Sequence, residues 1–303
     1  MTGPVNPLNA LIGVTVGAEA VLQNVLEDAA VEAAARIVAL GAKPGIGAQV
    51  RRAQYAQVRA ELLKTSSGLY GAVGTDLVQA TAAAGQAAAG AASSMDAVLF
   101  NAFGQDLPAG LAAAHREQAK GTVKAYQART ANNISLSDQV YKTKALSDGF
   151  LDQQINRSLL LGESWKELAD RVKGSIDPNV RGGVAYAAQR VGRTEINNAF
   201  HTVQKQAHMD EPWVSGMRWN LSRSHPTADD CDAFAKEAHY KGGPAGVYEK
   251  PNVPPKPHPQ CLCYLTAESV SEDDFVHGFL NGNYDQYLDE KVYGHAPRTE
   301  RPC

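Results

Sequence analysis

Near its C-terminus the chain reads Pro257-His258-Pro259-Gln260-Cys261-Leu262-Cys263, and a further thiol, Cys231, lies thirty positions before Cys261. With only four cysteines in 303 residues, this concentration of soft ligands is the most informative feature of the sequence. Cys231, His258, Cys261 and Cys263 would supply three sulfurs and one nitrogen, a donor set suited to tetrahedral zinc, with His225 as a reserve ligand. Cys261 and Cys263 are separated by a single residue, closer than the usual spacing of zinc ligand pairs. On a strand, however, residues i and i+2 face one side, so the two thiols could still converge. Two other readings stand beside zinc: a disulfide from Cys231 to Cys261 or Cys263 outside the reducing cytosol, and buried free thiols packed beside Trp219.

Other polar groups admit simpler roles. Asp229 and Asp230 read as helix-capping residues for a segment through Phe234, in preference to cation ligands with His225. Arg193-Thr194-Glu195 falls in a helix interior, where a solvated or locally paired charge set is the default. The sharper expectation is that Arg193 or Glu195 reaches the His225–Asp229–Asp230 loop and fixes it. His201 and His208, seven apart on one helical face, read as satisfied surface groups. Trp165, Trp213 and Trp219 read as core residues. No activated nucleophile stands beside a base, so the chain is not expected to be an enzyme.

The elements that must position these groups follow from periodicity. Apolar residues from Val21 to Leu40 recur at helical spacing, ending at Gly41 and Pro44. Further helices are predicted over 47–64, stopping at Ser66-Ser67-Gly68, over the small-residue stretch 71–92, over 94–103, and over 106–131 after a break at Gly104. The alanine-rich stretch offers little apolar area, so its stability should depend on close packing. A long helix is predicted from Ser135, C-capped by Gly162. Ser164-Trp165-Lys166-Glu167 is a capping-box pattern with Trp165, Leu168 and Val172 on one side. Asp177-Pro178 opens another segment, and a helix after Gly182-Gly183 runs toward His208. Met217 to Ser222 alternates as a strand, with Cys261 to Leu265 as its partner. The run Pro251-Asn252-Val253-Pro254-Pro255-Lys256-Pro257 between the cysteines can be neither helix nor central strand.

The expected fold class is α+β: a mainly helical arm over 1–134, a helix-rich module over 135–266 with a small antiparallel sheet and long loops, and an acidic, partly flexible tail over 267–303. A net charge of −3 and pI near 6.2 exclude an overall basic field for nucleic acid. Four cysteines do not make a disulfide scaffold. The N-terminus lacks the pattern of a signal peptide, and the most membrane-like window, 71–92, reads as a soluble helix.

Four features stand in order: Leu161-Gly162-Glu163-Ser164-Trp165-Lys166-Glu167-Leu168-Ala169; Gln189-Arg190-Val191-Gly192-Arg193-Thr194-Glu195 followed by Asn198-Ala199; the strand from Met217 followed by Ser224-His225 and Asp229-Asp230-Cys231; and His258-Pro259-Gln260-Cys261-Leu262-Cys263. Over roughly residues 140–266 this succession resembles the phage Mu F-like minor head proteins, the head-morphogenesis proteins of tailed bacteriophages. Two positions depart from the family pattern. Phe234 stands where many relatives carry a further cysteine, and Leu262 where arginine is frequent.

The resemblance implies a minor structural protein of the virion, at the portal vertex inside the capsid, assembled in the host cytoplasm and without membrane contact in the finished head. It also implies portal protein, major capsid or scaffolding protein as partners, contact with packaged DNA, and several copies per vertex. The helical arm would make the portal or capsid contacts. From a different class, a metal-dependent His/Cys nuclease is the rival reading. An ADP-ribosyl-transferring toxin would need a further catalytic domain.

Overall fold

A computed structural model describes residues 6–41, 48–131, 134–161, 163–175, 183–223, 225 and 228–293. The fold is α+β. Its elements are α1 (Pro7–Gly41), α2 (Ala48–Ala102), α3 (Ala109–Ala128), a two-residue pair β1 (Thr130–Ala131) and β2 (Ile134–Ser135), α4 (Leu136–Leu161), α5 (Trp165–Ser175), α6 (Val184–Met209), β3 (Val214–Asn220), α7 (Asp230–Lys236), β4 (Val247–Tyr248), β5 (Tyr264–Ser269), α8 (Glu272–Leu280) and α9 (Asp285–Leu288). Gly162 and Asp177-Pro178 lie outside the described residues, as does the segment from Pro297 to Cys303.

The expected start of the first helix, the stop at Ser66-Ser67-Gly68 and the separation of 71–92 from 94–103 are corrected, α2 being continuous from Ala48 to Ala102. α1 starts well before Val21: Asn6 Oδ1 accepts from the Leu8 amide at 2.9 Å and Pro7 opens the helix, an N-cap followed by a first-turn proline. α2 passes unbroken through Ser66-Ser67-Gly68. There Thr65 and Ser67 hydroxyls bond the carbonyls of Glu61 and Leu63, and Ser66 donates to Asp148, so these hydroxyls do not compete for helical amides. The break at Gly104 is present, with φ of +70°, a conformation glycine adopts without steric penalty. The capping box at Ser164 is also formed, its amide donating to Glu167 Oε2 at 2.7 Å and the Glu167 amide to Ser164 Oγ at 3.3 Å. Among the described residues Pro7–Ala39, rather than the alanine-rich window, is long and apolar enough to cross a membrane by length and composition.

The chain forms two compact units, neither contiguous in sequence. One comprises Val16–Gln79 and Ala128–Glu195. Its core contains Leu26, Ile37, Val58, Leu62, Val140, Ile155, Leu168 and Val172. Trp165 is half-buried there, its ring 4.7 Å from that of Tyr55.

The other unit comprises the described parts of Met1–Thr15, Ala80–Gln127 and Ile196–Cys303. The alanines of α2 pack as expected, with Ala84, Ala88, Ala91 and Ala92 fully buried. A three-stranded antiparallel sheet of order β4-β3-β5 pairs Trp219 with Leu265 and Met217 with both Ala267 and Tyr248. The partner strand thus begins at Tyr264, after the cysteines rather than at Cys261. Two apolar clusters pack in this unit: Met217, Trp219, Tyr248, Val253 and Leu265 with the three thiols, and Phe100, Leu111, Trp213, Phe275, Tyr284 and Leu288. The acidic tail therefore contributes to the core as far as Leu288. Its acids Glu272, Asp273 and Asp274 occupy the first turn of α8 beneath the Ser271 cap, where the helix dipole favours negative charge.

Candidate metal centre

Cys231 sits in the first turn of α7, because Asp229 caps that helix: Asp229 Oδ1 accepts from the Cys231 amide at 2.8 Å. Asp232 completes a capping box by accepting from the Asp229 amide at 3.0 Å. Gly246, with φ of +74°, ties α7 to the sheet, its amide donating to Glu237 O and its carbonyl accepting from Trp219, both at 2.8 Å. A Cβ at Gly246 would stand 2.5 Å from the Ala235 carbonyl oxygen.

The return loop is held by α6. Prolines offer carbonyls without N–H groups, so the loop needs external donors. His201 Nε2 donates to Pro254 O at 2.9 Å, and Lys205 Nζ to Val253 O at 2.9 Å and Pro251 O at 3.2 Å. His201 and His208 are thus buried groups rather than the expected surface ones, because α6 packs this face inward. Burial lowers the His201 pKa to about 3, so its imidazole is neutral.

The loop then turns at Gln260, whose φ of +61° is left-handed, and delivers the ligands. Cys231 Sγ lies 3.5 Å from Cys261 Sγ and 3.4 Å from His258 Nε2. The donor atoms of Cys231, His258 and Cys261 all fall within 4.8 Å of one another, making this a candidate metal-binding group. The Cys263 thiol interacts with both other thiols but is not part of that converging group, so three of the four expected ligands are brought together. Since Cys261 to Cys263 is loop, the expected strand geometry does not bring these sulfurs together; the Gln260 turn does. The thiols of Cys231, Cys261 and Cys263 are free and almost fully buried, so the disulfide reading is not met in this structure. They share their apolar cluster with Trp219, whose ring lies 5.1 Å from that of Phe234.

Electrostatics in the cluster favour one thiolate. Hydrogen bonds from Cys231 and Cys263 pull the Cys261 pKa far down, while hydrogen bonding to Cys261 pushes that of Cys231 up. Lys256, absent from the expected ligand set, is half-buried and donates to the carbonyls of Cys261 and Cys263. Burial lowers its pKa, against the raising effect of the nearby thiols. The one sequence signal for it is a lysine inside an otherwise charge-free proline run.

His258 Nδ1 donates to Pro259 O at 3.0 Å, which leaves Nε2 as the ligand atom. The same Nε2 is 3.1 Å from Asp229 Oδ2. His225 is engaged elsewhere, its Nε2 2.8 Å from Asp232 Oδ2 and 3.6 Å from Asp229 Oδ1. The capping reading of Asp229 is met, whereas the cap of α7 begins its helix at Asp230 itself.

Arg193 and Glu195 pair with other segments of the chain. Arg193 pairs with Glu19 on α1, and Glu195 with Arg129 at 2.7 Å. Thr194 Oγ1 donates to Arg190 O at 2.7 Å. These pairs join segments 174 and 66 positions apart, so they are tertiary rather than local.

In comparisons with known proteins, no family model, curated protein or solved structure matches the chain.

Proposed function

We propose that this chain is a minor structural protein of a tailed-phage head, acting near the portal vertex inside the capsid, with a C-terminal region pinned by one zinc ion. The observation that carries the reading is the convergence of Cys231, His258 and Cys261 within 4.8 Å across a thirty-residue excursion.

The residues fit zinc. Tetrahedral coordination with bonds of 2.3 Å to sulfur and 2.0–2.1 Å to nitrogen spaces two sulfurs about 3.8 Å apart, and sulfur from nitrogen about 3.5 Å. The separations here are 3.5 and 3.4 Å. Cys231, Cys261, Cys263 and the Nε2 of His258 would hold the ion. Four protein donors close its coordination, which suits a structural role, and binding would add to folding stability. Three thiolates with one Zn²⁺ leave a single negative charge, which the Lys256 ammonium, bonded to the Cys261 and Cys263 carbonyls, would offset.

Portal protein and major capsid or scaffolding protein are the proposed partners, with several copies of this chain at the vertex. The test is co-expression with the portal, scaffolding and capsid proteins of the same genome, followed by sedimentation of procapsids. The chain should sediment with portal-containing particles in far fewer copies than the capsid protein. Its absence from purified procapsids would refute the assembly role. A divalent-dependent plasmid-nicking activity lost in His258→Ala would replace it with the nuclease reading.

A further inference from the structure

We infer that Asp96, His115 and Glu211 form a second metal site, for a first-row divalent transition ion. They share no residue with the thiol cluster. Asp96 comes from α2, His115 from α3, and Glu211 from the turn between α6 and β3, all within one compact unit. Their relative exposures are 1%, 2% and 0%. Burying two carboxylates beside an imidazole is unfavourable unless charge and lone pairs are matched.

Each side chain is anchored by its outer atom. Trp213 Nε1 donates to Asp96 Oδ1 at 2.9 Å, and His208 Nδ1 lies 2.6 Å from Glu211 Oε2. Ser93 Oγ lies 2.9 Å from His115 Nδ1. The inner atoms, Asp96 Oδ2, His115 Nε2 and Glu211 Oε1, are buried, have no aligned hydrogen bond, and come within 4.8 Å of one another.

Ser93 has one hydroxyl hydrogen, and it is donated to Ala89 O at 3.0 Å. His115 Nδ1 lies 2.9 Å from that hydroxyl oxygen, so the outer ring nitrogen is engaged there and Nε2 is the atom that faces the carboxylates. Nε2 lies 2.9 Å from Glu211 Oε1 and 3.7 Å from Asp96 Oδ2, an arrangement that either an N–H on Nε2 or a cation shared by the three atoms satisfies. A cation between them would be held by all three inner atoms. Metal bonds of about 2.1 Å put neighbouring ligand atoms about 3.0 Å apart at right angles and about 3.4 Å at tetrahedral angles, close to these spacings. Two oxygens and one imidazole suit Mn²⁺, Fe²⁺, Co²⁺ or Zn²⁺, and outer partners of this kind are what hold metal ligands in register. Such an ion would join α2, α3 and the start of β3.

The competing account is a proton in place of the metal. Burial, then the Glu211 charge, raises the Asp96 pKa, which is the direction a shared proton needs. Metal-depleted full-length protein separates the two. Mn²⁺, a poor thiolate ligand partner, is titrated and followed by electron paramagnetic resonance and by thermal melting, with Asp96→Asn and His115→Gln as variants. The metal site predicts one Mn²⁺ per chain, a raised Tm, and at least tenfold weaker binding in both variants. If folded wild-type protein takes up no Mn²⁺, and neither Co²⁺ nor Zn²⁺ beyond the thiolate-bound equivalent, the site is overturned. Asp96→Asn retaining wild-type stability, as the isostere of a protonated acid, would then identify the proton.

Discussion

Cys231 and Cys261 face each other at 3.5 Å between sulfurs without being bonded, one thiol on the first turn of a helix and the other behind a left-handed turn. Cobalt substitution would report this cluster separately from any oxygen-ligated ion. The wild-type protein should show sulfur-to-cobalt charge-transfer absorption, and Cys261→Ser should lose most of it along with one equivalent of zinc by elemental analysis. Unchanged zinc content in the folded variant would exclude the thiolate site.

Lys256 donates to two carbonyls of the cluster, and its ammonium would offset the charge of the proposed zinc–thiolate set. Replacing it with methionine keeps the apolar stem and removes the charge. Zinc affinity should fall ten- to a hundredfold, as outer-shell losses at metal sites commonly do. Competition with a chromophoric chelator measures this, and an unaltered affinity would show that the ammonium serves the loop alone.

His201 supplies a pH dependence. Its pKa is lowered to about 3 from an ordinary 6.5, so between these values the unfolded chain binds the extra proton. Stability is therefore complete above about pH 6.5 and declines on acidification, by up to about 1.4 kcal/mol per unit, until pH 3. Urea denaturation from pH 4 to 8 should show a shallower slope for His201→Gln than for wild type. Parallel curves would mean the imidazole does not carry the effect.

Gln260 adopts φ of +61°, the conformation that aims the chain back at Cys231. A β-branched residue fits poorly there, so Gln260→Val should destabilise the protein by about 1–2 kcal/mol. Gln260→Gly should lie close to wild type, since relief of strain offsets added freedom in the unfolded chain. Equal destabilisation by both variants would place the effect in the side chain instead.

A chain cut to residues 135–303 loses Phe100 and Leu111 from the cluster around Trp213 and Phe275. Large-to-small losses in such cores reach several kcal/mol each, comparable to the stability of a domain. This fragment should lack a cooperative melt and near-ultraviolet tryptophan signal. A sharp transition in it would show that the C-terminal segment folds unaided.

The clustering of the thiols was legible because cysteine is scarce and its uses are few. The helices were legible from period and caps, as the Ser164 box illustrates. Continuity through Ser66-Ser67-Gly68 was not, because it depends on where the hydroxyls bond. The Gln260 turn carries no glycine or asparagine to announce it. Asp96, His115 and Glu211 come from three separate elements, and nothing in their spacing links them. An aspartate inside an alanine-rich apolar helix, and His208 three before Glu211, were the available hints. The two interleaved units escaped a linear reading because each draws on segments far apart in the chain.

That interleaving constrains birth at the ribosome. Ala80–Gln127 emerges early, yet the β3 and α8 residues that cover Phe100 and Leu111 are translated much later. The nascent polypeptide must carry those side chains uncovered through the synthesis of more than half its length, a period in which holdase chaperones or premature association compete with folding.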